Sequence, residues 1–390
     1  MKKLLIILFL SIITFPLFPQ VVVTIEGTVV TNSETGVWLG INVPRRVPAI
    51  FTFRNNSITS VNSNGYMLQA GDKGPAESNN NLDGSIFTGN KFTWNGTDLT
   101  SVTHALFTGY NKNVIIKYNY LSKTPNGIQR KSNGMNNTSG GIAYNIIVNP
   151  NVGIVVKGIN DVKILNNTFY QEKTITQNQR GLIDIQTNSD NGLNALSTGT
   201  KNFNNIFYTE YQTPNIKIDE RTSLTGLESD YNLYWCVRGV PVFNIAGHTY
   251  TFAQWQELGY DLHSIVIDPH FINFTDFVPA ERLNYGVNLG AEWQTGLPVN
   301  AIWGTSDPQT ADQNGTWQVG ARIHEGNNNS QEVRKVFIYP NPANNFLNIA
   351  GRDSSLLPQL IKITDLAGNV EFESSIVQSF KNILVQLYNY

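Results

Sequence analysis

The chain has 390 residues, long enough for a large core and more than one domain, with only 14% charged residues and a formal net charge of −2. That balance excludes nucleic acid as a partner, because phosphate binding needs a clustered basic surface. The single cysteine, Cys236, excludes an internal disulfide, and Asn, at about one residue in eight, favours turns over helices.

The opening stretch, MKKLLIILFLSIITFPLFPQ, places Lys2 and Lys3 before a short apolar run broken by Pro16. Its charge and length predict a secretory signal peptide over 1–19, cut near Gln20. Residues 20–48 are expected to be a lead-in or amino-terminal cap. No later segment has the apolar length to span a bilayer as a helix.

From Ala49 one phrase recurs: an apolar residue, two residues, Asn, one residue, an apolar residue. It reads Phe53-Asn56-Ile58, Phe87-Asn90-Phe92, Ile116-Asn119-Leu121, Ile142-Asn145-Ile147 and Ile164-Asn167-Phe169, with looser copies at Asn205-Phe207 and Asn232-Tyr234. The Asn-to-Asn step varies from 22 to 38 residues. A fixed phrase with a variable period predicts stacked coils joined by loops of changing length. A second strand set intervenes: GYMLQAG from Gly65, HALFTG from His104, GIQRKSNG from Gly127, GIVVKG from Gly153, GLIDIQTN from Gly181 and NIKIDERT from Asn215. Stacking successive turns about 4.8 Å apart would pair every strand edge and bury the inward side chains. The expected fold is all-β, a parallel β-helix over 49–323 with a carboxy-terminal cap. The recurrent Asn is expected to take the left-handed corner between strands and to form a ladder through its amide.

In TFAQWQELG, Thr251 and Gln254 form a capping box for a short helix, and Gly259 stops it. HEGNNNSQEVRK reads as a linker over 324–334. Beyond it, 335–390 reads as strands around turns, a small β-sandwich.

The Asn phrases, SDYNLYW at Ser229–Trp235, WQELGYDLHSIVIDPHF at Trp255–Phe271 and GTWQVGARI at Gly315–Ile323 resemble right-handed parallel β-helix proteins of the pectate-lyase-like superfamily. The resemblance covers Ala49 to Ile323. It implies a fold more than an activity, since that superfamily holds lyases, hydrolases, epimerases and non-enzymes. The tail is similar to the sorting module of the type IX secretion system, on Tyr339, Pro340, Asn341 and Pro342 and the turn around Asp365 and Gly368. That similarity implies export to the outer-membrane surface or beyond, with the secretion machinery as partner. The usual last strand pair around a G-x-Y phrase is missing, so the module is expected to be incomplete. An appendage without a sorting role is the alternative.

Relatives on this scaffold commonly cleave acidic polysaccharides. A β-eliminating lyase needs a base to take the proton beside a uronate carboxyl group, and a cation to neutralise that group. Aligned on their leading residues, the second strands put Lys131 and Lys157 in one column on adjacent turns, as candidate catalytic residues. Asp219 falls in that column, Lys217 lies nearby, and Arg130 and Asp184 fall in the neighbouring column; these four are candidate substrate-binding residues. Arg130 points inward in the simplest register, which requires an acid partner or a different register. The plainer reading, two lysines on a solvated face, carries more weight.

No acidic cluster suggests a metal centre, and calcium enters only as an optional counter-ion, so no cofactor is expected. His263 and His270 are expected to satisfy local hydrogen bonds, and Trp94, Trp293, Trp303 and Trp317 to pack loops more than to stack on sugars. The expectation is a monomeric, secreted or surface-displayed protein binding acidic polysaccharide, with β-elimination as the leading enzymatic version. A non-catalytic adhesin or rigid spacer is the alternative; an epimerase or hydrolase with atypical residues is weaker.

Overall fold

Short strands divided by Gly and Asn corners cannot close a core singly, and the chain solves this by coiling. The computed structural model describes residues 21–324, apart from 34–36, 40–48, 62–64, 72–81, 98–102, 138, 173–179, 305, 307 and 314, together with the strands between 336 and 386. The expected signal segment and nearly all of the expected linker lie outside the described residues. The chain divides into two compact units, Met1–Glu325 and Gly326–Tyr390.

In the first unit, Val21–Glu26, Val29–Ser33 and Val37–Leu39 each open a separate sheet. Every third strand thereafter returns to the same sheet, giving sheets of eight, nine and nine strands. Neighbours pair in parallel down to Glu228–Asp230, Leu233–Cys236 and Val242–Ile245. This stacking of parallel strands is consistent with a β-helix. It begins earlier than Ala49: Val23 stands opposite Phe51 and Val37 opposite Leu68, so the expected lead-in supplies the first turn. The Val-rich segment can do this because it offers the same alternation of side chains as the later strands.

Register stacks like on like inside the coil. Phe53, Phe87, Ile116, Ile142 and Ile164 form one inward column, and Ile58, Phe92, Leu121, Ile147, Phe169, Phe207 and Tyr234 another. All of these are buried. The rings of Phe169, Phe207 and Tyr234 stack with centroids 4.9 Å apart at each step. Closing this column over itself removes apolar surface from water at both faces of every ring, which no isolated turn could do.

The Asn phrase forms the ladder. Asn56, Asn90, Asn119, Asn145, Asn167, Asn205 and Asn232 are fully buried at the corner between the first and second sheets. At each step the backbone N–H and side-chain amide of one Asn both donate to the Oδ1 of the next. Asn119 to Asn145 is typical, at 3.0 and 2.9 Å, and Asn145 to Asn167 repeats it. The left-handed conformation expected of these Asn residues falls instead on the residue before each: Asn55, Gly89, Tyr118, Tyr144, Asn166, Asn204 and Tyr231 have φ between 51 and 67°. The preceding residue turns the corner, and the Asn side chain then fills it.

The ladder ends on a carboxylate. Asn232 donates to Asp261 Oδ1 at 2.8 Å, and Asp261 also accepts from Ser264, Ser229, Trp255 and Tyr234 at 2.6 to 3.1 Å. The helix Phe252–Glu257 carries the expected capping box, and its Trp255 lies flat on Phe243 at 4.6 Å, closing the last turn. Gly259 follows with φ 94°, the expected stop.

The segment beyond Ile267, expected to belong to the cap, instead runs back along the ladder corner. It meets Asn204 through Val287, Tyr144 through Trp293, Tyr118 through Thr295 and Trp303, and Gly89 through Gly304, then returns to Asn166 and Thr168 through Gln318 and Ala321. Trp293 and Trp317 are buried in this packing and Trp94 in the coil core.

In the second unit, Val336–Tyr339, Phe346–Gly351 and Asn382–Gln386 form one antiparallel sheet, and Leu360–Thr364 pairs with Val370–Ser375. Tyr339 ends its strand; Pro340, Asn341, Pro342, Asp365 and Gly368 lie outside the described residues.

Candidate functional site

The third sheet carries the candidate residues. Its longest strands, Asn126–Asn136 and Val152–Asn160, pair with Lys131 directly opposite Lys157. Side chains alternate across a strand, so the inward positions of Arg130 and Val156 send both lysines to the outer face. Gly127 stands where the next turn passes closest: a β-carbon there would meet the carbonyl oxygen of Gly153. Glycine at this position is therefore a packing requirement, and it fixes the register that brings the lysines together.

A third residue completes the cluster. Asp190 lies on the loop after Ile183–Gln186 and accepts from both ammonium groups, at 2.6 Å from Lys131 Nζ and 2.8 Å from Lys157 Nζ. Lys131 is 8% exposed, Lys157 20% and Asp190 39%. Partial burial pushes the Asp190 carboxyl up, but the hydrogen bonds and charges of Lys131 and Lys157 outweigh it and hold the group below its usual range. One shared carboxylate thus offsets the mutual repulsion of two ammonium groups on adjacent turns.

The loop is fixed at both ends. Asn188 and Ala195 exchange backbone hydrogen bonds of 2.8 and 3.1 Å, and the Asn188 amide donates to the Ser132 carbonyl at 2.6 Å. Asn191 and Gly192, with φ 55 and 76°, turn the chain so that Asp190 faces the lysines. Along the same strands beyond the lysines lies an open groove of about 430 Å³, lined by Asn133, Asn160, Asn194, Thr198, Leu193 and Leu196. Among the described residues no charged side chain lines it.

One and two turns nearer the amino terminus than Lys131, His104 with Phe107 and then Tyr66 cluster with ring centroids 4.6 to 6.4 Å apart. Burial and then the charge of Asp190 push the Tyr66 hydroxyl up. Tyr110 is raised in the same way, with a partial offset from the Asn188 amide. Both hydroxyls therefore stay protonated at neutral pH and able to donate.

The other candidates are placed differently. Arg130 is 2% exposed and points inward, as the simplest register requires, yet among the described residues no carboxylate pairs with it directly. Its Nη2 donates to the Asn111 carbonyl at 2.8 Å and to Asn137 Oδ1 at 3.4 Å. Burial lowers its pKa to about 10, with the charge of Asp83 pulling the other way. Asp184 does not share a column with Arg130: it stands opposite Val155 and Lys217, because Ile154 pairs with Ile183 and so puts Leu182, not Gly181, beside Gly153. Asp184 is fully buried and held by Arg180 at 2.6 Å, which removes it from any ligand. Lys217 reaches Asp219 at 3.3 Å. Ile185 pairs with Ile218, so Asp219 continues the lysine column through Gln186.

The His263 ring holds Asp230 at 2.6 Å and lies flat on Tyr231, whereas at His270 the backbone N–H donates to Asp268 and the ring stands 3.7 Å from the same carboxylate. Among the described residues no three His, Cys, Asp or Glu side chains stand together as metal ligands, and no helix is long and apolar enough to cross a membrane.

Asp190 leaves no trace in the sequence pattern because it belongs to a loop outside the strand repeat. No family model, curated protein or solved structure matches this chain.

Proposed function

We propose that this is an exported protein of the right-handed, pectate-lyase-like β-helix type that binds acidic polysaccharide on the outer face of its third sheet. The observation that carries the reading is the convergence of Lys131 and Lys157, from adjacent turns, on a single carboxylate. A pair of ammonium groups that grips one carboxylate is chemically suited to another, such as that of a uronate residue. The uncharged amide-lined groove alongside suits the hydroxyls of a sugar ring. The leader and the tail motifs support export by a type IX route.

Binding is better supported than cleavage. An eliminating base must offer a lone pair, and both Nζ atoms are engaged with Asp190. The test is affinity electrophoresis in gels containing alginate, polygalacturonate or a neutral glucan. Retardation by an acidic polymer alone, relieved in Lys131→Ala/Lys157→Ala, is the expected result. Equal mobility of the parent protein in every gel refutes the binding reading and leaves the rigid spacer. The same polymers, followed for unsaturated products by ultraviolet absorbance with and without calcium, test the lyase version. Deletion from Lys335 onward tests export: normal surface delivery of the shortened chain refutes a sorting role.

A further inference from the structure

The Asn188–Ala195 loop serves the lysine seat and the groove together. Its tip puts Asp190 onto Lys131 and Lys157, and its returning limb contributes Leu193, Asn194 and Ala195 to the groove wall. On the facing side, Asn133 and Asn160 follow the two lysines by two and three residues on their own strands. At the rise of a β-strand that separation is about 7–10 Å. A ligand lying along the strands would therefore meet the groove and the loop tip in succession.

We propose that Asp190 is a built-in competitor: its carboxylate fills the anion seat in the free protein and is displaced when a ligand carboxylate enters. The inference rests on the polysaccharide-binding reading and adds a mechanism to it. Three observations support it. Asp190 is the most exposed of the three groups, so it can leave into water while the lysines stay. It is held to the fold by the backbone bridge at the loop's base and not by the lysines alone, so releasing the tip need not unfold the turn. With Asp190 withdrawn the seat presents two ammonium groups, one per turn, to the entering anion.

The competitor lowers apparent affinity in proportion to the fraction of molecules with the seat free. Two partly exposed ion pairs are together worth about tenfold in that fraction. Isothermal titration with oligogalacturonate and oligomannuronate is to be run on the full chain and on Asp190→Asn, Asp190→Ser and Lys131→Ala/Lys157→Ala. Asp190→Asn and Asp190→Ser should each bind about tenfold more tightly than the parent, and the double lysine variant should not bind. In the parent, hydrogen exchange at Ser189–Leu193 should speed up on adding oligomer, since displacement frees the tip. This readout does not depend on any variant folding.

Three outcomes are decisive. If the parent binds but the Asp190 variants bind equally or more weakly, Asp190 is a structural clamp and the competitor is refuted while polysaccharide binding stands. If the loop's exchange slows on binding, the competitor is refuted in the same way. If neither the parent nor the Asp190 variants bind either oligomer, both proposals fall.

Discussion

Replacing Asn145 by Ala interrupts the ladder at its middle. The Asn145 amide donates to the Ile116 carbonyl at 2.9 Å, the Ala143 carbonyl at 3.1 Å and Asn167 Oδ1 at 2.9 Å, and its Oδ1 accepts from the Asn119 backbone and amide. Alanine leaves the Asn119 N–H and the Ile116 carbonyl without those partners in a wall closed to water. At about 1–3 kcal/mol for each of these two stranded groups, the expected loss is about 2–6 kcal/mol. Exposed Asn95, changed to Ala, should cost within about 0.5 kcal/mol. Asn145→Asp sharpens the test, because a carboxylate keeps the shape but cannot donate unless protonated. Burial raises its folded pKa above the unfolded value, so its deficit against the parent should shrink on acidification and grow as pH rises through the folded pKa. The assay is urea denaturation by circular dichroism, with the summed tryptophan fluorescence as a second probe of cooperativity. A cost below about 1 kcal/mol for Ala, or a pH-independent deficit for Asp, refutes the account of the ladder as a set of obligatory partners.

Further outcomes follow from other sites. Asp190→Asn should be less stable than the parent at neutral pH, because a carboxylate held below its usual range adds stability above the unfolded value of about 3.9 and loses it as pH falls through the folded one. Melting curves from pH 7 to 3 should therefore converge at the acid end, and a constant gap contradicts the assignment. Arg130→Met should cost less than about 1.5 kcal/mol, whereas Arg130→Ala should cost about 3 kcal/mol by leaving a cavity. Equal losses for the two would show that the guanidinium's hydrogen bonds matter more than its volume. Gly127→Ala should destabilise by about 2 kcal/mol or more, since the obstacle is backbone and cannot turn aside. A neutral result by denaturant midpoint would show that the turns can separate locally.

The coil is legible in the sequence because its chemistry is local and repeated. The Asn phrase, strict in five turns and looser in two, answers the same corner each time, so counting it locates all seven ladder members. The left-handed backbone is misplaced by one residue, since Tyr118, Tyr144 and Tyr231, poor candidates for a left-handed turn by type, take it because the next side chain completes the corner. Lys131 and Lys157 align because Gly127 and Gly153 occupy equivalent close approaches. The same rule fails at Gly181, which begins one residue early, and so misplaces Asp184. Asp190 and the segment after Ile267 obey no period. Asp190 is placed by ion pairs to two other turns, and the late segment by contacts 149 to 185 residues apart, Tyr144 with Trp293 and Tyr118 with Trp303; such contacts leave no local signature.

A pile of rungs that touch only their neighbours can be lost one rung at a time from either end. Here the returning segment is fastened at Gly89, Tyr118, Tyr144, Asn166 and Asn204, on five consecutive rungs. None of these can peel away without tearing a seam shared by the other four, so these five turns should give way as one block. For a protein whose single thiol is unpaired and buried, that lengthwise stitching substitutes for the covalent cross-links that protect other chains against fraying and protease attack.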